Sequence, residues 1–328
     1  MNFAGFVGNA GVRAALSADI DAGQFPHAIL IEGPQGSGRR MLARLIARAA
    51  VCEGGVRPCG VCAACIKAAG DNHPDILGVE GAGVSHMITV DAVRTLREQA
   101  YVMPNEAPRR VFLIFGAQDM NEAAQNALLK VLEEPPAQAV FVLTCDNRSQ
   151  LLPTVQSRCV CHSLSGVSPE EALPVLRAQL PDQSEQDLTR ALAVFGGCIG
   201  QVLRGLEEDA FRRVLELTPQ IARAISAPGS SELLLLTAGM EKEKEVLDGV
   251  LSSLSLLVRD ALAVRLGGAA AVSIDAQAAQ ELARTMSPAR LMAVMQAVER
   301  LQTARRRSMN PSLFSVYLCA QLRAAAGK

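Results

Sequence analysis

The spacing of apolar residues divides this chain into a part that alternates strand and helix and a part that is helical throughout. From residue 3 to 25 apolar residues return at helical spacing (Val12, Leu16, Ile20), and glycine and Pro26 close the segment. Short continuous apolar runs then appear at Ala28–Ile31, Ile76–Val79, 109–115 and Ala139–Thr144. Near-continuous apolar character suits the strands of a parallel sheet, which are covered on both faces. Helical patterns lie between them. Met41 to Ala50 puts Leu42, Leu45, Ile46 and Ala49 on one face; a second helix enters near Asp91 and runs to Gln99 with Ile88, Val90, Val93 and Leu96 as its apolar set. A third spans Met120 to Glu134, stops at Pro135-Pro136, and aligns Ala124, Leu128 and Leu132 at i, i+4, i+8. Strands alternating with helices predict an α/β domain with a parallel sheet and flanking helices.

After about residue 166 the strand pattern ends. Residues 168–208 read as a small helical domain, opened by Ser168 as N-cap, Pro169 at the first position and Glu170-Glu171 in the first turn, with Pro174 expected to interrupt the pattern soon after. Gly196-Gly197 breaks the next helix. From 210 onward helices are predicted at 210–226, 230–239, 241–266, 275–285, 288–306 and 311–326, with loop signals at Pro228-Gly229 and Gly267-Gly268. The Leu291, Val294, Met295, Val298 and Leu301 stripe reads as core.

Composition narrows this picture. A length of 328 residues suggests two or three domains, and a net charge of −1 supplies no overall basic field for nucleic acid. No apolar run reaches the length of a bilayer span, and Met1 to Phe6 lacks the basic and apolar regions of a signal peptide, so a cytoplasmic protein without membrane contact is expected. Nine cysteines are present and four crowd into residues 52–65, which in a reducing compartment favours metal over disulfides.

Cys52, Cys59, Cys62 and Cys65 have the spacing C-x6-C-x2-C-x2-C. Four thiolates at such spacing can close a tetrahedron around Zn²⁺, with Pro58 and Gly60 supplying tight turns. An iron–sulfur run of the bacterial ferredoxin type would continue with a cysteine at position 69, where Ala69 stands. Four loose or buried thiols are the remaining reading. Without a histidine or carboxylate to leave an open position, a structural zinc is favoured. His73 is an alternative ligand, though His73-Pro74 also reads as a turn before the strand at Ile76.

Gly33-Pro34-Gln35-Gly36-Ser37-Gly38-Arg39-Arg40 lies between the first strand and its helix, the context of a phosphate-binding loop. Gly33, Gly36 and Gly38 allow backbone N–H groups to turn inward on a phosphate. The motif requires Lys and then Ser or Thr where Arg39 and Arg40 stand. The strand ending at Phe115-Gly116 should close on an Asp that holds magnesium, often followed by a Glu base. Phe115 and Gly116 can do neither. Arg39 could still touch a phosphate as a cation. Thr144 ends its strand at the edge where ligands bind in open α/β sheets, or simply caps the turn.

These residues, with Gly8-Asn9, His27-Ala28, the cysteine cluster, Asn126-Ala127-Leu128-Leu129-Lys130, Leu132-Glu133-Glu134-Pro135-Pro136 and Ser157-Arg158-Cys159, resemble bacterial clamp-loader subunits of the AAA+ superfamily. The resemblance is specific to about residue 165 and weaker beyond, where Asn310-Pro311-Ser312-Leu313 also fits. It implies an AAA+ P-loop-like domain over 1–166 with an inserted zinc module at about 51–70, a helical lid at 167–208 and a helical collar at 209–328 that oligomerises. It further implies that Arg158, with Ser157 beside it, acts in trans as an arginine finger on a neighbouring subunit's ATP. A guanidinium, always charged and forked, suits a transferring γ-phosphoryl group. With the lysine, the hydroxyl and the magnesium Asp all absent, the chain is expected not to hydrolyse ATP; the loop keeps its glycine cradle, but without those groups ATP binding is not expected, and weak nucleotide binding stays open. Expected partners are tau/gamma-type ATPase and delta-type subunits, the sliding clamp and, through the complex, primer-template DNA. The rival readings are a clamp-loader-type ATPase with a variant loop and an independent zinc-ribbon nucleic-acid module. Arg204 falls where a lid sensor arginine would stand, but a solvated helix face is the expectation there, as for the Arg305-Arg306-Arg307 run.

Overall fold

The computed structural model describes all residues except 82–86, 208, 242, 269–274 and 306–309. Two compact units result, Met1–Ser168 and Pro169–Lys328.

The first unit contains β1 (Ala28–Glu32), β2 (Ile76–Glu80), β3 (Arg110–Phe115), β4 (Ala139–Cys145) and β5 (Val160–Ser163), interleaved with α1 (Ala10–Asp21), α2 (Arg39–Val51), α3 (Ala63–Ala69), α4 (Val90–Ala100), α5 (Glu122–Glu133) and α6 (Pro153–Gln156). The strands form one parallel sheet in the order β2-β3-β4-β1-β5. β3 and β4 are buried along their whole length, as their unbroken apolar sequences require. Successive side chains point to opposite faces. Leu30, Phe112, Ile114, Phe141 and Leu143 therefore pack with Val93 and Leu96 of α4 and Leu128 and Leu132 of α5. Ile29, Ile31, Val111, Leu113 and Val142 pack with Leu42 and Ile46 of α2 and Leu16 of α1. Phe112 and Phe141 stack across adjacent strands with centroids 5.1 Å apart.

Helix starts follow local chemistry. Thr89 Oγ1 accepts the Ala92 N–H at α4, and Asn121 Oδ1 accepts the Ala124 N–H at α5. α1 begins at Ala10 rather than at residue 3, because Gly5, Gly8 and Asn9 have φ of 79°, 73° and 49°, which no right-handed helix accommodates. Three elements have no counterpart in the periodicity: β5, α6 and α3. β5 is a four-residue edge strand whose sequence is half polar, α6 is a single turn of four residues, and α3 takes its N-cap from a cysteine sulfur.

Asp75 locks the entry to the sheet. It is fully buried, and its carboxylate accepts from the N–H groups of Asn105, Glu106 and Ala107 and from Asn105 Nδ2, at 2.6–3.1 Å. Burial alone would raise its pKa; the four donors outweigh that and hold it below the ordinary carboxylate value. A depressed folded pKa contributes stability that is present above the unfolded value, about 3.9, and is lost as pH falls through the folded one. Asp75→Asn is therefore expected to flatten the acid limb of the stability profile below about pH 4, and Asp75→Ala to cost about 2–3 kcal/mol by orphaning its donors. Urea unfolding as a function of pH checks both.

The second unit is helical among its described residues: α7 (Pro169–Gln179), α8 (Glu185–Val194), α9 (Ile199–Glu207), α10 (Ala210–Ser226), α11 (Ser231–Ala238), α12 (Lys244–Arg265), α13 (Ala276–Thr285), α14 (Pro288–Arg305) and α15 (Pro311–Ala326). α12 is its centre, with Val250, Leu251, Leu254, Leu257 and Val258 buried against α10, α13 and α14. α7 runs through Pro174 where an interruption was expected. The N–H that proline lacks would have reached only Glu170, an exposed first-turn residue whose carbonyl water can satisfy. Gly196 and Gly197, at φ 58° and 74°, end α8 as the sequence predicts.

Candidate functional site

The phosphate-type loop connects β1 to α2. Gly38 precedes α2 with φ 92°, and a Cβ placed on it would lie 2.9 Å from the Phe6 ring, so a side chain here is excluded twice over. The first turn of α2 carries no acid and no side-chain cap. The loop's two arginines turn to the protein itself. Arg39 Nη2 lies 2.5 Å from Asp146 Oδ1, just beyond β4. Arg40 Nη2 lies 2.5 Å from Glu80 Oε2, while its guanidinium stands 4.8 Å over the Phe115 ring, with that of Arg44 at 5.3 Å. The two substituted positions, far apart in sequence, thus meet in a cation–π contact. Gly116 donates its N–H to Thr144 Oγ1 at 3.1 Å, which gives the buried Thr144 a structural partner between β3 and β4. Ser37 is buried, and its Oγ has no partner among the described residues; it would lie 3.0 Å from a Cβ on Gly33.

Cys52, Cys59, Cys62 and Cys65 come together with their sulfurs within 4.8 Å of one another, Cys59 and Cys65 at 3.9 Å. A tetrahedron of Zn–S bonds of about 2.3 Å implies S···S separations of roughly 3.8 Å, so the donor set fits that ion. Backbone N–H groups point at sulfur: Gly54 and Cys59 at Cys52, Cys62 at Cys59, Cys65 at Cys62, all at 3.3–3.4 Å. Such donors favour thiolates, and N–H groups from Val61 and Cys62 bring the Cys59 thiol down to about 6, while burial pushes Cys65 up to about 12. A Cβ on Gly54 would come within 2.8 Å of Cys59 Cβ, so glycine is needed for the closure. His73 lies outside this cluster; its Nδ1 accepts the Asp75 N–H at 3.1 Å, the turn role foreseen for it.

Arg158 follows α6. Its own N–H bonds to Val155 O, and Ser157 and Cys159 bond back to Pro153 and Gln156, which fixes the turn. The guanidinium makes a 2.6 Å pair with Glu133 Oε1 and donates through Nη1 to Thr154 O at 2.7 Å and to Ser157 Oγ at 3.4 Å. About a third of the side chain stays exposed. Cys159, the next residue, is half-buried and packs against the sheet core, its thiol pushed up to about 12 by desolvation. Sequence reasoning quoted Glu133 only as part of a motif and did not single out Asp146 or Glu80. Nothing local marks these three, since each pairs with an arginine 25 or more positions away.

In the second unit Arg204 Nη1 pairs with Glu245 at 2.9 Å, and Arg305 Nε lies 3.4 Å from Asp248. Arg306 and Arg307 lie outside the described residues. Among the described residues no helix is long and apolar enough to cross a membrane.

A family model described as DNA polymerase III, delta subunit, matches residues 8–168. The chain is 37% identical over 184 residues to DNA polymerase III subunit gamma/tau of Mycobacterium bovis, a match covering 56% of this chain and 32% of the relative. It thus spans about a third of the length of such relatives. To DNA polymerase III subunit delta' of Pseudomonas aeruginosa it is 38% identical over 53% of its length and 54% of the relative. To the delta' subunit of Escherichia coli it is 31% identical over 283 residues, 85% of this chain and 83% of the relative. The chain belongs to the delta-prime-type clamp-loader subunits of bacterial DNA polymerase III. Its α/β unit, a parallel sheet with flanking helices, followed by a helical region is the architecture expected from the sequence.

Proposed function

We propose that this chain is a non-hydrolysing subunit of a clamp loader, which assembles with tau/gamma-type ATPase and delta-type subunits in the cytoplasm and helps load the sliding clamp onto primer-template DNA. In this reading Arg158 is presented to the ATP of a neighbouring subunit, residues 167–208 act as the lid and 209–328 as the oligomerising collar, and the four cysteines hold a structural zinc. The observation that carries it is the Arg40–Phe115 contact. Magnesium-dependent phosphoryl transfer needs a hydroxyl and a carboxylate to hold the ion. Here the two corresponding positions carry a cation and an aromatic ring, packed on each other. Arg39, where the clamp lysine would stand, is neutralised by Asp146. A trans arginine needs no phosphate site of its own, so the loss of one function is compatible with the other.

The purified chain is expected to show no magnesium-dependent ATP turnover above background. Clear turnover by this chain alone would falsify the assignment. Ser37, buried beside Gly33 without a partner among the described residues, favours a second and narrower reading, residual anion binding. Equilibrium binding of labelled ATP without turnover would be its signature.

A further inference from the structure

We propose that Glu133 is the positioning residue for Arg158, an inference that rests on Arg158 acting in trans on a neighbour's ATP. A long arginine side chain loses substantial rotamer freedom when it engages a phosphate, and that loss slows the chemistry unless the chain is ordered beforehand. Here the ordering is built in. Glu133 is the last residue of α5, whose Leu128, Val131 and Leu132 are buried in the sheet core. Gln125 of the same helix bonds the Met120 carbonyl through Nε2 and accepts the Leu152 N–H at 2.7 Å, tying α5 to the segment that enters α6. Val155 of α6 is buried in the same core. The carboxylate and the Arg158 backbone are therefore held by elements fixed to each other.

Between them the guanidinium is gripped on two sides. Glu133 takes an Nη2 hydrogen at 2.6 Å and the Thr154 carbonyl an Nη1 hydrogen at 2.7 Å. An arginine has five N–H donors. The Nε–H and at least one further Nη hydrogen remain for an anion arriving from outside the chain. Glu133 is thus expected to select the rotamer in which the free donors face the partner, at the expense of part of the arginine's net charge. Because the pair is half exposed, its removal should disturb orientation far more than folding.

The test is steady-state DNA-stimulated ATP hydrolysis by the loader reconstituted with the full-length chain and its cognate ATPase subunits, comparing wild type, Glu133→Ala, Glu133→Gln, Arg158→Ala and the Glu133→Ala/Arg158→Ala double variant. Glu133→Ala is expected to lose most of the kcat that Arg158→Ala loses, with KM unchanged, as for a group that matters only in the transition state. The double variant should be no slower than Arg158→Ala, since Glu133 acts only through the arginine. Glu133→Gln, which keeps an oxygen acceptor for Nη2, should recover part of the loss. Melting temperatures of the variants should match wild type. Wild-type or raised kcat for Glu133→Ala beside an impaired Arg158→Ala overturns the positioning role and leaves the arginine assignment standing, as do additive losses in the double variant. Wild-type rates for Arg158→Ala overturn both.

Discussion

Arg158→Ala is expected to slow ATP hydrolysis at the neighbouring subunit's site by roughly 10³-fold, the low end of what a trans arginine contributes to phosphoryl transfer. The measurement is single-turnover hydrolysis in the reconstituted loader with clamp and primed DNA. Arg158→Lys should recover little, because an ammonium cannot offer the forked donors that span two phosphate oxygens. Assembly should survive both changes. The side chain is one-third exposed and its pair with Glu133 is a surface pair, worth about 0–1 kcal/mol at most. Gel filtration of the complex separates the outcomes. Lost hydrolysis with intact assembly supports the finger; lost assembly points to a structural contact; unchanged hydrolysis removes the assignment.

The second large effect is expected at the four cysteines. Metal analysis of the purified chain should give about one zinc per molecule, the stoichiometry of a closed Cys₄ site. Structural zinc contributes apparent binding free energies of about 10–16 kcal/mol in small modules, so its loss should dominate any packing change nearby. α3 is expected to depend on it most. This helix has seven residues, Cys62 sulfur caps its N-terminus by accepting the Cys65 N–H, and its Ala64 and Ala68 pack on the α2 side of the sheet. Chelation or Cys65→Ser is expected to abolish hydrogen-exchange protection over 52–69 and to leave β3 and β4, buried along their whole length, protected. Acid should release the ion as the thiolates protonate. A chain free of zinc that keeps protection in this segment would show that the thiols pack without an ion.

How much of this was legible in advance follows from the range of each interaction. Strands β1 to β4 and the longer helices beside them announce themselves through continuous apolar runs and stripes of period 3.6, since burial on two faces or one acts residue by residue. The boundaries were less legible. Asn9, Gly5 and Gly8 start α1 seven residues later than the apolar spacing suggests, through positive φ angles that only the folded backbone displays. Pro174 failed to break α7 because the bond it removes falls in a solvent-exposed first turn. The edge strand β5 is short and half polar, and it exists because β1 offers it a free edge.

For the site the division is sharper. The sequence alone determined which side chains are absent: a loop without the motif's lysine and hydroxyl, and a strand end without a carboxylate. It also determined the tetrad of cysteines, whose members lie close enough in the chain for spacing to be informative. Only the tertiary structure decided what occupies the altered places. Arg40 rests on Phe115, Arg39 on Asp146 and Arg158 on Glu133, through contacts that bring together residues 25 to 107 positions apart. A charge carries no mark in sequence of the distant partner it will meet. That choice is made when the parallel sheet sets β3 beside β4 and β4 beside β1, gathering the ends of separate strands within the few ångströms over which ion pairs and cation–π contacts act.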